Sequence, residues 1–159
     1  MAYNHLFSPV KIGNVEIPNR IALMPMGVLS PRMMNRDGSY TKDGADYYIE
    51  RAKGGTGLII TGIAPIPSGE FLPSIVNNPA TYTENTKYLA DGIHRYGSKV
   101  FIMISAMSGR AGTPGGPAAS ALPNVWDPRE MQREMTVEEI HQYVEWFATG
   151  AKAAKDAGV

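Results

Sequence analysis

Three stretches of the chain are apolar without interruption: IALMPM (21–26), GLIITGIAPI (57–66) and KVFIMISAM (99–107). Alternating apolar and polar residues mark a strand with one face in water. An unbroken run marks a strand buried on both faces, as in a parallel sheet covered by helices. After each run the period becomes helical. In TKDGADYYIERAKGG, Ala45, Tyr48, Ile49 and Ala52 share one face, and Gly54–Gly55 ends the helix. In TENTKYLADGIHRYGSK the stripe is Leu89, Ile93 and Tyr96, with Gly97 as the stop. In TVEEIHQYVEWFATGAKAAKDAG, Thr136 and Glu139 have the spacing of a capping box. Ile140, Tyr143, Val144, Phe147, Ala151 and Ala154 follow at helical spacing. Strand and helix alternating three times predict an α/β fold with parallel strands and right-handed crossovers.

Ahead of the first run, VKIGNVEIPNR predicts a short hairpin. Val10 and Ile12 lead into a Gly13–Asn14 turn, and Val15 and Ile17 return from it. Such a hairpin can plug the bottom of a barrel. The stretch from Ser108 to Met135, with its GRAGTPGGPAAS core, exceeds the usual loop length and predicts a functional lid or a disordered segment. It follows a strand's C-terminal end, the face on which βα proteins bind ligands. Past the last helix, Gly158 stands where a left-handed residue is needed, and Val159 reads as the start of a fourth buried strand. A complete (β/α)8 barrel takes about 250 residues. Three strands alone would leave two apolar edges unpaired. The expected organisation is therefore residues 1–159 as the N-terminal portion of one barrel domain, cut before its fourth strand.

Composition narrows the picture mainly by exclusion. Fifteen basic and fifteen acidic side chains cancel, which argues against an electrostatic nucleic-acid binder. There is no Cys, so disulfides and thiolate metal sites are excluded within these residues. His5, His94 and His141 form no metal-ligand pair, and no metal site is expected. The N-terminus lacks a signal-peptide apolar run, and no stretch nears the roughly 20 apolar residues of a membrane helix. A soluble cytoplasmic protein is the expectation. Homo-oligomerisation through the open sheet edges stays open.

One stretch carries more information than periodicity does. LFSPVKIGNVEIPNRIALMPM resembles the opening of the Old Yellow Enzyme family, the NADH:flavin oxidoreductases. Leu6, Phe7, Pro9, Ile12, Gly13, Asn19, Arg20, Ile21, Pro25 and Met26 match its usual pattern, while Ile17 replaces a Leu. DYYIERAKGGTGLIITG (46–62) is similar to the family's first helix and second strand, and KVFIMISAMSGR (99–110) to its third strand. The spelling of that last segment, without His and with Ser-Ala, resembles the branch of 2-enoate and 2,4-dienoyl-CoA reductases.

The resemblance implies a (β/α)8 barrel carrying FMN at the C-terminal mouth of its strands. NADH or NADPH would be the hydride source and an activated alkene, such as an enoate or enoyl thioester, the small-molecule substrate. It implies flavin contacts at Pro25, Met26 and Gly27, and at Gly62 or its neighbour Ile63. Met103 stands where the family's Gln bonds the flavin's pyrimidine edge, a departure because a thioether is a weak acceptor and no donor. Arg110 would meet an anionic group of substrate or cofactor by its bidentate geometry. Each residue also has a plain structural reading: a strand ending at proline, a turn glycine, a core methionine, an exposed loop arginine. The family's proton-rich substrate pair lies on the fourth strand, so catalytic residues are expected beyond Val159. An iron–sulfur cluster and FAD belong only to a C-terminal extension of the enoate-reductase branch. The expected activity is FMN-dependent alkene reduction by the parent protein, with the isolated segment inactive. The rival readings are a non-enzymatic half-barrel assembly or binding module, and a barrel acting on a phosphorylated substrate, for which no glycine motif speaks here.

Overall fold

The computed structural model describes residues 3–27, 30, 32–66 and 73–159. The predicted hairpin is present: β1 (Val10–Ile12) pairs antiparallel with β2 (Val15–Ile17) around Gly13, whose φ of 58° suits glycine. Three parallel strands follow in the order β3 (Ala22–Leu23), β4 (Leu58–Pro65), β5 (Lys99–Ser105). Each leads into a helix: α1 (Lys42–Lys53), α2 (Pro79–His94) and α3 (Val137–Asp156). A 3-10 turn, Ile75–Asn77, precedes α2.

Local chemistry fixes the helix starts. The Thr41 hydroxyl accepts the Gly44 N–H at the head of α1. Asn78 accepts the Thr81 N–H at the head of α2, where Pro79 takes the first position and lacks only a donor that would have had no partner. Thr136 and Glu139 close the predicted capping box on α3. Gly97 and Gly158 have φ of 78° and 93°, as expected of residues just past a helix.

The core lies between the sheet and the helices. Ala45, Tyr48 and Ala52 of α1, Leu89, Ala90 and Ile93 of α2, Ile59 and Val100 form one cluster. Ala64, Ile66, Ile75, Tyr82, Ala153 and Ala154 form a second, adjoining α3. Burying a side chain such as Ile59, Leu89 or Ile93 stabilises by about 1.5–3 kcal/mol. At the opposite end of the strands, Asn19 works as a clamp. Its Nδ2 donates to the Gly55 carbonyl at 2.8 Å, and its Oδ1 accepts the N–H groups of Ile21 and Gly57 at 2.9 and 3.1 Å.

Four expectations need correction. The strands are covered by helices on one face rather than both: Ile59, Ala64, Ile66, Val100, Ile102 and Ile104 pack into the clusters, while Met24 is 64% exposed and Phe101 and Met103 are half-buried. An unbroken apolar run reports two apolar faces, not what covers them. The first strand's ladder is only Ala22–Leu23, with Met24–Gly27 continuing beyond it. On α3 the buried positions are Gly150, Ala153 and Ala154, whereas Ile140, Val144 and Phe147 are exposed. Tyr96 likewise lies past the end of α2 and is exposed.

The long segment after β5 is neither featureless nor disordered. It carries a two-stranded parallel ladder, β6 (Pro117–Ala118) with β7 (Arg133–Glu134), and a bridge between Pro123 and Met131. Two buried amides hold it. Gln132 Nε2 donates to the Gly109 and Thr113 carbonyls, and Asn124 Nδ2 donates to the Gly112 carbonyl. Asn124 Oδ1 accepts the N–H groups of Trp126 and Asp127.

Candidate functional site

The C-terminal ends of β3, β4 and β5 open on the side where the long segment begins. The β3–β4 ladder stops at Leu23↔Ile59. Beyond it, β4 carries a bulge: Ile60 pairs with Phe101 and Ile63 with Met103, so β4 advances three residues while β5 advances two. The extra residue rotates the strand, so that Ile60 and Ile63 are its half-buried positions rather than Ile60 and Gly62.

The bulge brings Gly62 against the tip of β3. A Cβ on Gly62 would stand 2.2 Å from the Gly27 Cα, 2.7 Å from its N and 2.9 Å from the Met26 carbonyl oxygen. Only glycine permits that approach. A single side chain spans the joint. The Tyr48 hydroxyl lies 3.1 Å from the Met26 carbonyl, to which it donates, and accepts the Gly62 N–H at 2.9 Å. Its oxygen is also 3.3 Å from that of Tyr40, whose ring packs edge-on at 5.0 Å. Tyr47 packs on the other side at 5.1 Å. Burial holds the Tyr40 phenol well above its usual pKa, reinforced by Tyr48, so it stays protonated.

Pro25, Met26, Gly27 and Gly62 are therefore brought together. Met26 and Gly27 are exposed, Met26 by 64%, whereas Gly62 is buried beneath Gly27. Ile63, the alternative considered for this position, is the half-buried neighbour. Met103 is half-buried on the adjacent strand, in register with Ile63. Past β5, the Ser105 Oγ accepts the Met107 N–H at 3.2 Å. Met107 has φ of 51°, the one positive value at a non-glycine position among the described residues. Arg110 is exposed and tied to the long segment after β5. Its Nε donates to the Pro123 carbonyl at 3.1 Å, and its own carbonyl accepts the Val125 N–H. Among the described residues no group of three or more His, Asp or Glu could hold a metal ion, and no helix is long and apolar enough to cross a membrane.

Sequence reasoning placed Tyr48 in the core but missed the use of its hydroxyl. Nothing local in DYYIERA signals a bond to residues 22 positions upstream and 14 downstream. Asn124 and Gln132 were also missed, since a Gly/Pro/Ala-rich stretch gives no periodicity to read.

Parallel strands joined by helices, with their C-terminal ends on one side, are the arrangement in which βα proteins bind ligands at that side. The profile of the NADH:flavin oxidoreductase / NADH oxidase family matches residues 5–159. The chain belongs to that family. It is 38% identical over 167 residues to cinnamate reductase of Clostridium sporogenes, covering 98% of this chain and 25% of that protein. It is 34% identical over 163 residues to NADH oxidase of Thermoanaerobacter brockii, covering 98% of this chain and 24% of the other. Among solved structures it superimposes on Old Yellow Enzyme from Pichia sp. AKU4542 with a TM-score of 0.76 and 25% identity, over 97% of this chain and 44% of that one. The three βα units are thus the first part of a (β/α)8 barrel. The chain spans about a quarter of the length of these two curated relatives.

Proposed function

We propose that the protein to which these residues belong is an FMN-dependent ene-reductase, taking electrons from NADH or NADPH to an activated C=C bond such as that of an enoate or enoyl thioester. The observation that carries this reading is the junction of Met26, Gly27 and Gly62, in a chain belonging to a family of flavin oxidoreductases. Met26 and Gly27 are exposed, and the lack of a side chain at Gly27 lets a flat aromatic ring approach closely. The half-buried Ile63 and Met103 supply apolar surface beside it. These residues fit the isoalloxazine ring. When bound, FMN would supply the hydride chemistry; the residues here would orient the ring and keep water from one side of it.

Within that reading, Pro25, Met26 and Gly27 line the ring's edge, with Gly62 supporting them from beneath. Met103 meets the ring through dispersion rather than a hydrogen bond. Arg110 would attract an anionic group through its terminal nitrogens, because Nε is already held by the Pro123 carbonyl. Residues 1–159 form one portion of a single FMN-binding domain and are inactive by themselves, because the reacting acid lies elsewhere in the barrel. A cytoplasmic location belongs to the same proposal. Family membership removes the support for a non-enzymatic half-barrel.

The test uses the whole protein. Purified anaerobically, it should carry the visible absorption of bound flavin, and NADH or NADPH should bleach it. Cinnamate, the substrate named for the Clostridium sporogenes relative, should restore the oxidised spectrum and be saturated at its C=C bond. A protein without flavin, or a reduced flavin that cinnamate and enoyl thioesters fail to reoxidise, sinks the reading.

A further inference from the structure

We infer that Tyr48 is a positioning residue: its hydroxyl replaces the missing rung of the β3–β4 ladder and holds the Met26–Gly27 tip against Gly62. Neighbouring parallel strands are ordinarily tied by a continuous series of backbone bonds. Here the pairing ends at Leu23↔Ile59, one residue before the bulge that shifts the register of β4 against β5. Three residues further along β3, the Met26 carbonyl needs a donor; three along β4, the Gly62 N–H needs an acceptor. The phenol oxygen stands between them, at 3.1 and 2.9 Å, and satisfies both. The ring that delivers it comes from α1, is 2% exposed, and is wedged between Tyr40 and Tyr47. Its position is set by core packing, so the tip of β3 inherits the rigidity of the helix layer.

Tyr48 lies on the helix side of the sheet, with Gly62 and Gly27 between it and the mouth. It acts on a ligand only through them. The inference rests on the flavin reading for its consequence, but its structural half stands alone.

The experiment compares the whole protein with Tyr48→Phe and Tyr40→Phe, by amide hydrogen exchange and by flavin titration. Tyr48→Phe keeps the ring and its packing and removes the bridge. Exchange at Gly62 should accelerate at least tenfold relative to the buried β5 amides, and flavin should bind about tenfold more weakly. Tyr40→Phe removes a hydroxyl equally buried but leaves the Met26 and Gly62 bonds, and both readouts should stay near the parent values. Unchanged exchange at Gly62 in a folded Tyr48→Phe protein overturns the bridge. Accelerated exchange with unchanged flavin affinity overturns the positioning role. If no form binds flavin, the functional reading fails while the exchange result still decides the bridge. Should Tyr48→Phe slow no step of folding but raise exchange across the whole sheet, as Tyr40→Phe would then also do, the hydroxyl is a general core contact and the inference is wrong.

Discussion

Replacing Gly62 by Ala tests the geometry of the mouth with one methyl group. The added carbon would stand 2.2 Å from the Gly27 Cα and 2.7 Å from its N. Ordinary contact begins near 3.4 Å, so the two backbones must part by roughly 1 Å. Both obstructing atoms are main chain, with no rotamer to relieve the clash. Overpacking of this kind costs about 1–3 kcal/mol. Parting the strands also stretches the Gly62 bond to Tyr48, a further loss of about 1 kcal/mol. The expected destabilisation is about 3 kcal/mol, measured by denaturant unfolding of the whole protein, with flavin affinity reduced by about tenfold or more because a shift of this size misplaces bound groups. Gly27→Ala is the internal control. Its Cβ would meet the Ile63 N at 3.4 Å, an ordinary contact, and its φ is not in the left-handed region. It should cost less than about 1 kcal/mol. Equal losses of unfolding free energy from the two substitutions, or a Gly62→Ala protein within about 0.5 kcal/mol of the parent, would refute the close approach.

The remaining predictions concern the clamp, the apolar strand and the helix cap. Asn19→Ala, which takes the partner from the Ile21 N–H but leaves the Gly57 N–H on the Ile21 carbonyl and the exposed Gly55 carbonyl open to water, should lower unfolding free energy by about 1–2 kcal/mol without altering flavin affinity, since it acts at the opposite ends of the strands. If Met103 faces the flavin as proposed, Met103→Gln supplies a donor there and should tighten binding about fivefold, from about 1 kcal/mol of net hydrogen bonding, as read by flavin fluorescence titration. Glu139 has a pKa lowered from 4.5 to about 2, first by the Arg133 guanidinium and then by the Thr136 N–H. The folded state therefore binds fewer protons than the unfolded one, so the stabilisation is present above pH 4.5 and fades as pH falls toward 2. Thermal melts should show Glu139→Gln less stable than the parent at neutral pH, with the difference vanishing near the acid end.

Most of the scaffold was legible because its signals are local. Thr136 and Glu139 announce a helix start by spacing alone, Gly13 a turn, and Gly97 and Gly158 helix ends, and each forms the expected contact or conformation. The α3 stripe failed for a physical reason. Ile140, Val144 and Phe147 are apolar at helical spacing, yet the surface that α3 meets in these residues is lined by Ile66, Ile75 and Ile104, which approach within 3.1–3.6 Å of a Cβ at Gly150. Small residues let the helix come close there, so Gly150 and Ala153 make the interface with Trp146 packed beside them, while Ile140, Val144 and Phe147 remain outside it. A hydrophobicity pattern weights side-chain size in the wrong direction for such a contact.

The candidate positions could be named from the sequence, but the contacts that support them could not. Pro25, Met26, Gly27 and Gly62 could be singled out from motif resemblance, but their mutual contact depends on the bulge between Ile60 and Ile63. LIITGIAP reads as one even strand, because Thr61 and Gly62 do not betray the extra residue. The β3–β4 ladder stops just before the bulge, Gly62 lies beneath Gly27, and a carbonyl and an amide there need a partner. Tyr48 satisfies both, and can do so only because Tyr40 and Tyr47 fix its ring. The same distortion that opens the mouth thus creates the need for the side chain that stiffens it. A regular β4, with Gly62 back on the ladder, would need no Tyr48 hydroxyl and would leave no reason for glycine at 62.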